Sequence, residues 1–213
     1  MGSTEDTLKD AVTEIAGTAM PGFGWAIGRA FGLLCTEWQR LHSAALKAAV
    51  RVSGLSYEDL QERIESDPEL MPLYVRVLWA AGTNGHDETL RAMGATLGEA
   101  VRATAEGADA DPQSMRDADQ ALVAMDALGP RHFSVLRLLA TPGHIPENIP
   151  DKWRVNELTE ALGFDEERVR WCLSGLAAAG LAIPRGSTFG GEWFAATNLG
   201  RAVVHASDLV AES

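Results

Sequence analysis

The side chains that could act in acid–base, nucleophilic or metal chemistry are few and scattered along this chain. No two histidines have HxxxH or HExxH spacing, and no histidine lies near a cysteine in the sequence, so no zinc-ligand pattern is present. Cys35 and Cys172 are far apart and form no CxxC pair, which argues against a disulfide framework. The sequence contains no GxSxG nucleophile motif. It therefore predicts a protein that is not an enzyme and that uses no metal or other cofactor. Surface or partly buried positions are expected for the five histidines, His42, His86, His132, His144 and His205.

Charge is distributed unevenly over the 213 residues, whose net charge is −12. Residues 1–127 carry 10 basic and 20 acidic side chains, a balance of −10, whereas residues 128–213 carry 8 and 10, a balance of −2. An acidic N-terminal part repels a phosphate backbone, so only the C-terminal part is expected to approach DNA. The acidic N-terminus, with Glu5 and Asp6, does not resemble a signal peptide. No uncharged apolar run approaches the ~20 residues of a membrane span, and we expect a cytoplasmic protein without a membrane partner.

The predicted fold is mainly α, with an N-terminal multi-helix domain that contains one long helix. We expect an acidic helical domain over residues 1–110, a connecting helix over 111–129 and a second domain over 130–213. Apolar residues alternate at spacings of four and three through the long helix of residues 22–52, which is the pattern of a heptad seam. This seam either packs against its own domain or joins two copies in a homodimer. Its candidate self-association residues are Ile27, Phe31, Leu34, Trp38 and Leu41.

The pattern of elements changes from Pro130 onward. A helix over 131–140 is followed by a proline-containing loop and a short helix that ends at Gly163. Asp165 is expected to cap the next helix, 166–179, which Gly180 terminates. Residues 181–185 and 193–196 read as two strands around a loop of residues 186–191, and a last helix follows Thr197.

This order resembles the winged helix-turn-helix domains of the MarR, PadR and ArsR kind. The resemblance covers the last ~80 residues and rests on three motifs: Val155-x2-Leu158-x3-Leu162-Gly163, Val169-x3-Leu173-x2-Leu176-x3-Gly180-Leu181 and Thr197-x2-Gly200-Arg201. In such domains the second helix of the motif enters the major groove of DNA and the hairpin contacts the backbone. The resemblance implies a DNA-associated, dimeric transcriptional regulator. The candidate DNA contacts are Lys152, Arg154, Arg168, Arg170, Ser174, Arg185, Ser187, Thr188 and Arg201.

A helical projection of residues 166–179 leaves a second function open. The buried side is predicted to contain Val169, Cys172, Leu173 and Leu176. Carboxylates at the start of the helix, Glu166 and Glu167, would repel DNA, and an outward tryptophan is more typical of protein contacts than of base contacts. The alternative is therefore a protein-interaction module that does not bind DNA. Its candidate partner-binding residues are Glu167, Trp171 and Ala178.

Overall fold

The computed structural model describes residues 24–83, 86–105, 112–141, 152–188 and 191–211. Within these ranges the chain forms nine helices and one three-stranded antiparallel sheet, which confirms the prediction of a mainly α fold. The chain divides into two compact units, residues 1–41 and 42–213. The first 23 residues of the predicted acidic helical domain lie outside the described residues.

Five helices make up the part of the structure before Gly129. Ser56 caps the second of them, because its Oγ accepts a hydrogen bond from the backbone N–H of Asp59 at 3.1 Å. The backbone carbonyl of Asp67 accepts hydrogen bonds from Leu70 and Met71 at the start of the third. The five helices are α1 (Gly24–Ser53), α2 (Tyr57–Ser66), α3 (Leu70–Thr83), α4 (Asp87–Ala105) and α5 (Pro112–Asp126).

Two glycines allow α4 to lie unusually close to the C-terminal half of α1. A Cβ atom at Gly94 would overlap the backbone carbonyl of Ala45, and one at Gly98 would lie 2.6 Å from the carbonyl oxygen of Ala49. Ala45 and Ala49 are completely buried. The two backbones can approach this closely only because the contact positions carry no side chain on one helix and a single methyl group on the other.

The rest of the described chain combines four helices with the small sheet. Strand β3 is central and pairs antiparallel with both neighbours, so that Trp153 lies opposite Phe194 and Ala182 opposite Ala196. The elements are α6 (Pro130–Ala140), β1 (Trp153–Arg154), α7 (Val155–Leu162), α8 (Glu166–Ala178), β2 (Ala182–Thr188), β3 (Gly191–Ala196) and α9 (Asn198–Ala211).

The strands of the hairpin are longer than the sequence predicts. Ser187 pairs with Glu192 and Thr188 with Gly191, so residues expected in the loop 186–191 belong to the strands. An irregularity in the register between Pro184 and Gly186, with Gly186 at φ +117°, allows the ladder to continue beyond a proline, which has no N–H to donate. The short strand β1 was not predicted at all.

Within residues 42–213, helix α9 connects the C-terminal elements with the helices that precede Gly129. It packs against α4 as well as against α6. The guanidinium of Arg137 on α6 lies 2.9 Å from Glu88 Oε1 on α4 and donates a 2.9 Å hydrogen bond to Ser207 Oγ on α9. The predicted connecting helix, 111–129, lies within the compact unit of residues 42–213, and the division into two domains on either side of it stays a prediction.

The predicted self-association seam is described only in part. For four of the five seam residues, the structure describes only the backbone, which is helical within α1. These four are Ile27, Phe31, Leu34 and Trp38. Leu41 is 3% exposed, so its side chain is already covered by the chain itself. None of the helices in the described ranges combines the length and the apolar character needed to cross a membrane.

Candidate interaction surface

Helix α8 is fixed at both ends by its local sequence. Asp165 Oδ1 accepts a 2.8 Å hydrogen bond from the N–H of Arg168, as expected of an N-cap. Gly180, at φ +73°, lies just beyond the end of the helix, in a backbone conformation that glycine adopts without strain. The predicted buried side is confirmed: Val169, Cys172, Leu173 and Leu176 are each at most 1% exposed.

The opposite side of α8 faces solvent and is called here the α8 face. It contains charged residues near the start of the helix, one large aromatic residue in the middle and small residues toward the end. Trp171 is 60% exposed, an unusual position for an indole on a protein surface. The α8 face consists of Glu166, Glu167, Arg168, Arg170, Trp171, Ser174 and Ala178, all exposed.

Both arginines of the α8 face are paired with carboxylates. Arg170 Nε lies 2.9 Å from Glu166 Oε1, one helical turn earlier, and its Nη1 lies 2.5 Å from Glu192 Oε2 on β3. Arg168 Nη2 lies 3.5 Å from Asp165 Oδ2. With these three carboxylates and Glu167, the surface carries four acidic and two basic side chains, a balance of −2. The guanidinium of Arg170, a predicted DNA contact, is therefore held by two carboxylates of its own chain.

Trp171 rests on a buried histidine. The centroids of the Trp171 and His132 rings are 4.5 Å apart with an interplanar angle of 49°. His132 is 5% exposed, which corrects the expectation of a surface or partly buried side chain. A Cβ atom at Gly175 would lie 2.8 Å from His132 Nε2, so the histidine fits below the tryptophan because residue 175 is glycine.

His132 is held as a neutral hydrogen-bond acceptor. Its Nδ1 accepts a 3.2 Å hydrogen bond from the backbone N–H of Gly129, which precedes α6. Burial lowers the pKa of His132 below its ordinary value of 6.5. Protonation would place a positive charge in a buried site. It would also put a proton on Nδ1, so that this N–H and the backbone N–H of Gly129 would point at each other.

We expect the stability of the fold to fall in mild acid in part because of His132. The unfolded chain binds the proton near pH 6.5, whereas the folded chain binds it only at lower pH. The stability that the neutral His132 ring contributes is therefore complete above pH 6.5 and is lost as the pH falls from 6.5 toward the lowered pKa. In urea unfolding between pH 7 and pH 5, His132→Gln, which keeps an acceptor but does not titrate, should lose less stability than the native chain.

The control for this pH prediction is His205→Gln, which removes an exposed histidine on α9. Its stability should follow that of the native chain at every pH. Identical slopes for the native chain and His132→Gln would show that the buried ring does not contribute to the pH dependence.

The other predicted DNA contacts are distributed around the α8 face, and two of them are used within the fold. The guanidinium of Arg154 lies 4.2 Å from the ring centroid of Trp193, and Arg201 donates hydrogen bonds to the Ala196 carbonyl and to Asn198 Oδ1. Lys152 is half-buried and Arg185 is exposed; neither forms an ion pair with any residue that the structure describes. Ser187 and Thr188 lie in β2.

Three residues that shape this surface were not predicted from the sequence. Glu192 reaches Arg170 from another element, and His132 and Gly175 seat the tryptophan. The spacing of Trp171 and Gly175, one helical turn apart, is the only sequence signal for this arrangement, because such residues share a face of a helix.

The described residues offer little else with catalytic or metal-binding potential. They contain no group of three or more His, Cys, Asp or Glu side chains that could hold a metal ion. Burial raises the pKa of the Cys172 thiol, which disfavours the reactive thiolate. The α8 face is therefore the strongest functional candidate in this part of the chain.

Comparisons with protein-family models, with curated proteins and with solved structures found no match to this chain.

Proposed function

We propose that residues 130–211 form a winged helix-turn-helix domain that docks a partner protein through the α8 face. The order of elements, with α7 and α8 separated by residues 163–165 and followed by the β2–β3 hairpin, supports this identification. In this interpretation α8 is the recognition helix and the hairpin is the wing.

The observation that carries the protein-docking function is the state of the two central residues of the α8 face. Arg170 is bound by Glu166 and Glu192, whereas Trp171 on the adjacent position is 60% exposed. Exposed aromatic residues with fixed geometry are enriched at the centres of protein interfaces. A partner protein can cover the indole without disrupting the ion pairs.

The same ion pairs oppose DNA binding. To contact a guanine, Arg170 would have to exchange two carboxylates for a base edge, and both carboxylates would then lie unpaired beside the phosphates. Duplex DNA carries about one negative charge per 1.7 Å of axis, and the α8 face with Asp165 and Glu192 has a balance of −2. The net charge of −12 adds a repulsion over the whole chain.

A DNA-associated regulator is the second candidate, and one observation favours it. Lys152, just before β1, and Arg185, on β2, form no ion pair with any described residue, and phosphate contacts come from corresponding positions in the resembling family. A homodimer would double these contacts. Titration of the full chain with labelled duplex fragments distinguishes the two functions, because DNA binding weakens steeply with salt and protein docking requires no duplex.

We expect Trp171→Ala to weaken partner binding by about 2 kcal/mol or more, which is roughly a 30-fold change in Kd. The indole provides the largest exposed apolar surface of the α8 face, and its removal leaves the net charge unchanged. The test recovers partners of the full chain from an extract of the source cells, identifies them, and measures the affinity of each by biolayer interferometry.

Trp79→Ala is the matched control. Trp79 is 70% exposed and lies on α3, so this variant also loses an exposed indole but keeps the α8 face intact. It should bind like the native chain. Equal affinities for Trp171→Ala and the native chain would refute docking through the α8 face, and salt-sensitive duplex binding would favour the DNA-associated regulator.

A further inference from the structure

The indole of Trp171 contacts His132 and is otherwise largely open to solvent. The His132 ring contacts it from within the domain at a centroid distance of 4.5 Å, while 60% of the residue remains exposed. The solvent-facing part of an indole attracts cations, because the π-system is negative above and below the ring. The contact with His132 therefore leaves most of the indole available to a partner.

A carboxylate without an ion-pair partner lies one helical turn from this ring. Glu167 and Trp171 are four residues apart on α8, so their side chains are neighbours on the same face. The other acidic side chains of the surface, Asp165, Glu166 and Glu192, each hold an arginine. Glu167 is exposed and forms no ion pair within the described ranges.

We propose that Trp171 and Glu167 together bind an arginine side chain of the partner protein. The planar guanidinium would stack on the exposed indole while its N–H groups donate to the Glu167 carboxylate. Guanidinium is weakly hydrated and stacks on aromatic rings, whereas an ammonium group is strongly hydrated and compact. The site therefore prefers arginine to lysine, and the inference rests on the proposed docking function.

The same chemistry already occurs elsewhere in this domain. The guanidinium of Arg154 lies 4.2 Å from the centroid of the Trp193 ring. There both groups belong to the chain, and Trp193 is only 7% exposed. At Trp171, by contrast, no arginine or lysine of the described residues lies over the ring, and the nearby Arg168 and Arg170 are held by carboxylates.

Charge disfavours a second copy of the α8 face as the occupant. Two such faces in contact, each together with Asp165 and Glu192, would each bring a balance of −2, and like charges placed against each other are destabilising. A basic surface on a different protein complements both this balance and the net charge of −12. The partner is therefore a protein with an exposed arginine in a basic surface.

The test uses the full chain and two fluorescein-labelled peptides, one of alternating arginine, glycine and serine and one with lysine in place of arginine. Fluorescence anisotropy at low salt measures the affinity for each. The arginine peptide should bind more tightly than the lysine peptide. Trp171→Ala and Glu167→Gln should each weaken binding of the arginine peptide about fivefold.

Matched controls separate this site from general attraction between a basic peptide and an acidic chain. Trp79→Ala removes an exposed indole on α3, and Glu160→Gln removes an exposed charge on α7. Neither should change the affinity for the arginine peptide. Because Trp171→Ala preserves the net charge and Glu160→Gln changes it by the same amount as Glu167→Gln, only a local site gives this pattern.

Three results would overturn the arginine site: no binding of either peptide, equal binding of the arginine and lysine peptides, or equal effects of the site variants and their controls. The docking function fails on a different result, an identified partner whose affinity does not depend on Trp171. If Trp171→Ala weakens the identified partner while neither peptide distinguishes the variants, docking stands and arginine recognition falls.

Discussion

Replacement of Phe133 by alanine should lower the free energy of unfolding by about 3–5 kcal/mol. Phe133 is completely buried and lies on α6, the helix that packs against α8, α9 and β3. Loss of the ring removes apolar burial and leaves a cavity that a close-packed core fills only in part. Domains of this size are stable by about 5–15 kcal/mol, so this single change removes a large fraction of the total. Urea unfolding followed by circular dichroism measures it.

Two further variants make the Phe133 prediction decisive. Phe133→Leu keeps most of the apolar volume and should cost less than about 1.5 kcal/mol, which provides a measurable value if the alanine variant does not fold. Val123→Ala, at a position that is 49% exposed on α5, should stay within about 0.5 kcal/mol of the native chain. If Phe133→Ala lowers the free energy of unfolding by no more than Val123→Ala does, the central position of this ring in the core is contradicted.

The second large effect is expected at Gly94. In an exposed helix, Gly→Ala stabilises by about 1 kcal/mol. Here the added methyl group would overlap the backbone carbonyl of Ala45, and a backbone cannot rotate out of the way as a side chain can. Gly94→Ala should therefore lower the free energy of unfolding by about 3 kcal/mol, as overpacking of a tight core does.

The sign of the Gly94 effect is the informative result. Arg91→Ala, at an exposed position on the same helix, should change stability by no more than about 0.5 kcal/mol. If Gly94→Ala were more stable than the native chain in the same urea titration, helix propensity would dominate, and the close approach of α1 and α4 would be wrong.

Much of the fold follows from short-range patterns. Asp165 as a cap, Gly180 beyond the end of α8 and the buried side of α8 could be predicted because each depends on residues within one or two helical turns. The length of α1, Gly24–Ser53, follows in the same way from an uninterrupted apolar spacing without internal proline.

Features that depend on distant residues were not predictable. Strand β1 has two residues, too few for an alternating pattern, and it forms only because β3 lies beside it. The Arg170–Glu192 ion pair joins residues 22 positions apart and depends on how the hairpin lies against α8. The contact of Gly94 with Ala45 depends on a helix crossing that no local spacing specifies.

This difference affects the functional prediction directly. From the sequence, Arg170 is an outward arginine at a position suited to base recognition, and Glu192 is one of several acidic residues with no assigned role. Together with Glu166, this contact places two carboxylates on one guanidinium, and it is the reason that we propose a protein rather than DNA as the ligand of the α8 face. Trp171, in contrast, was identified from helical projection alone, and its exposure agrees with that expectation.

The contact between Trp171 and His132 has a consequence for the thermodynamics of recognition. An exposed side chain normally loses rotamer freedom when a partner covers it, at a cost of about 0.5–1.5 kcal/mol for each immobilised side chain. The ring of Trp171 already rests on His132, and Gly175 allows that histidine to remain close beneath it. The contact with His132 restricts the indole before binding, so a partner that docks through the α8 face, as proposed, would meet a side chain with less rotamer freedom left to lose.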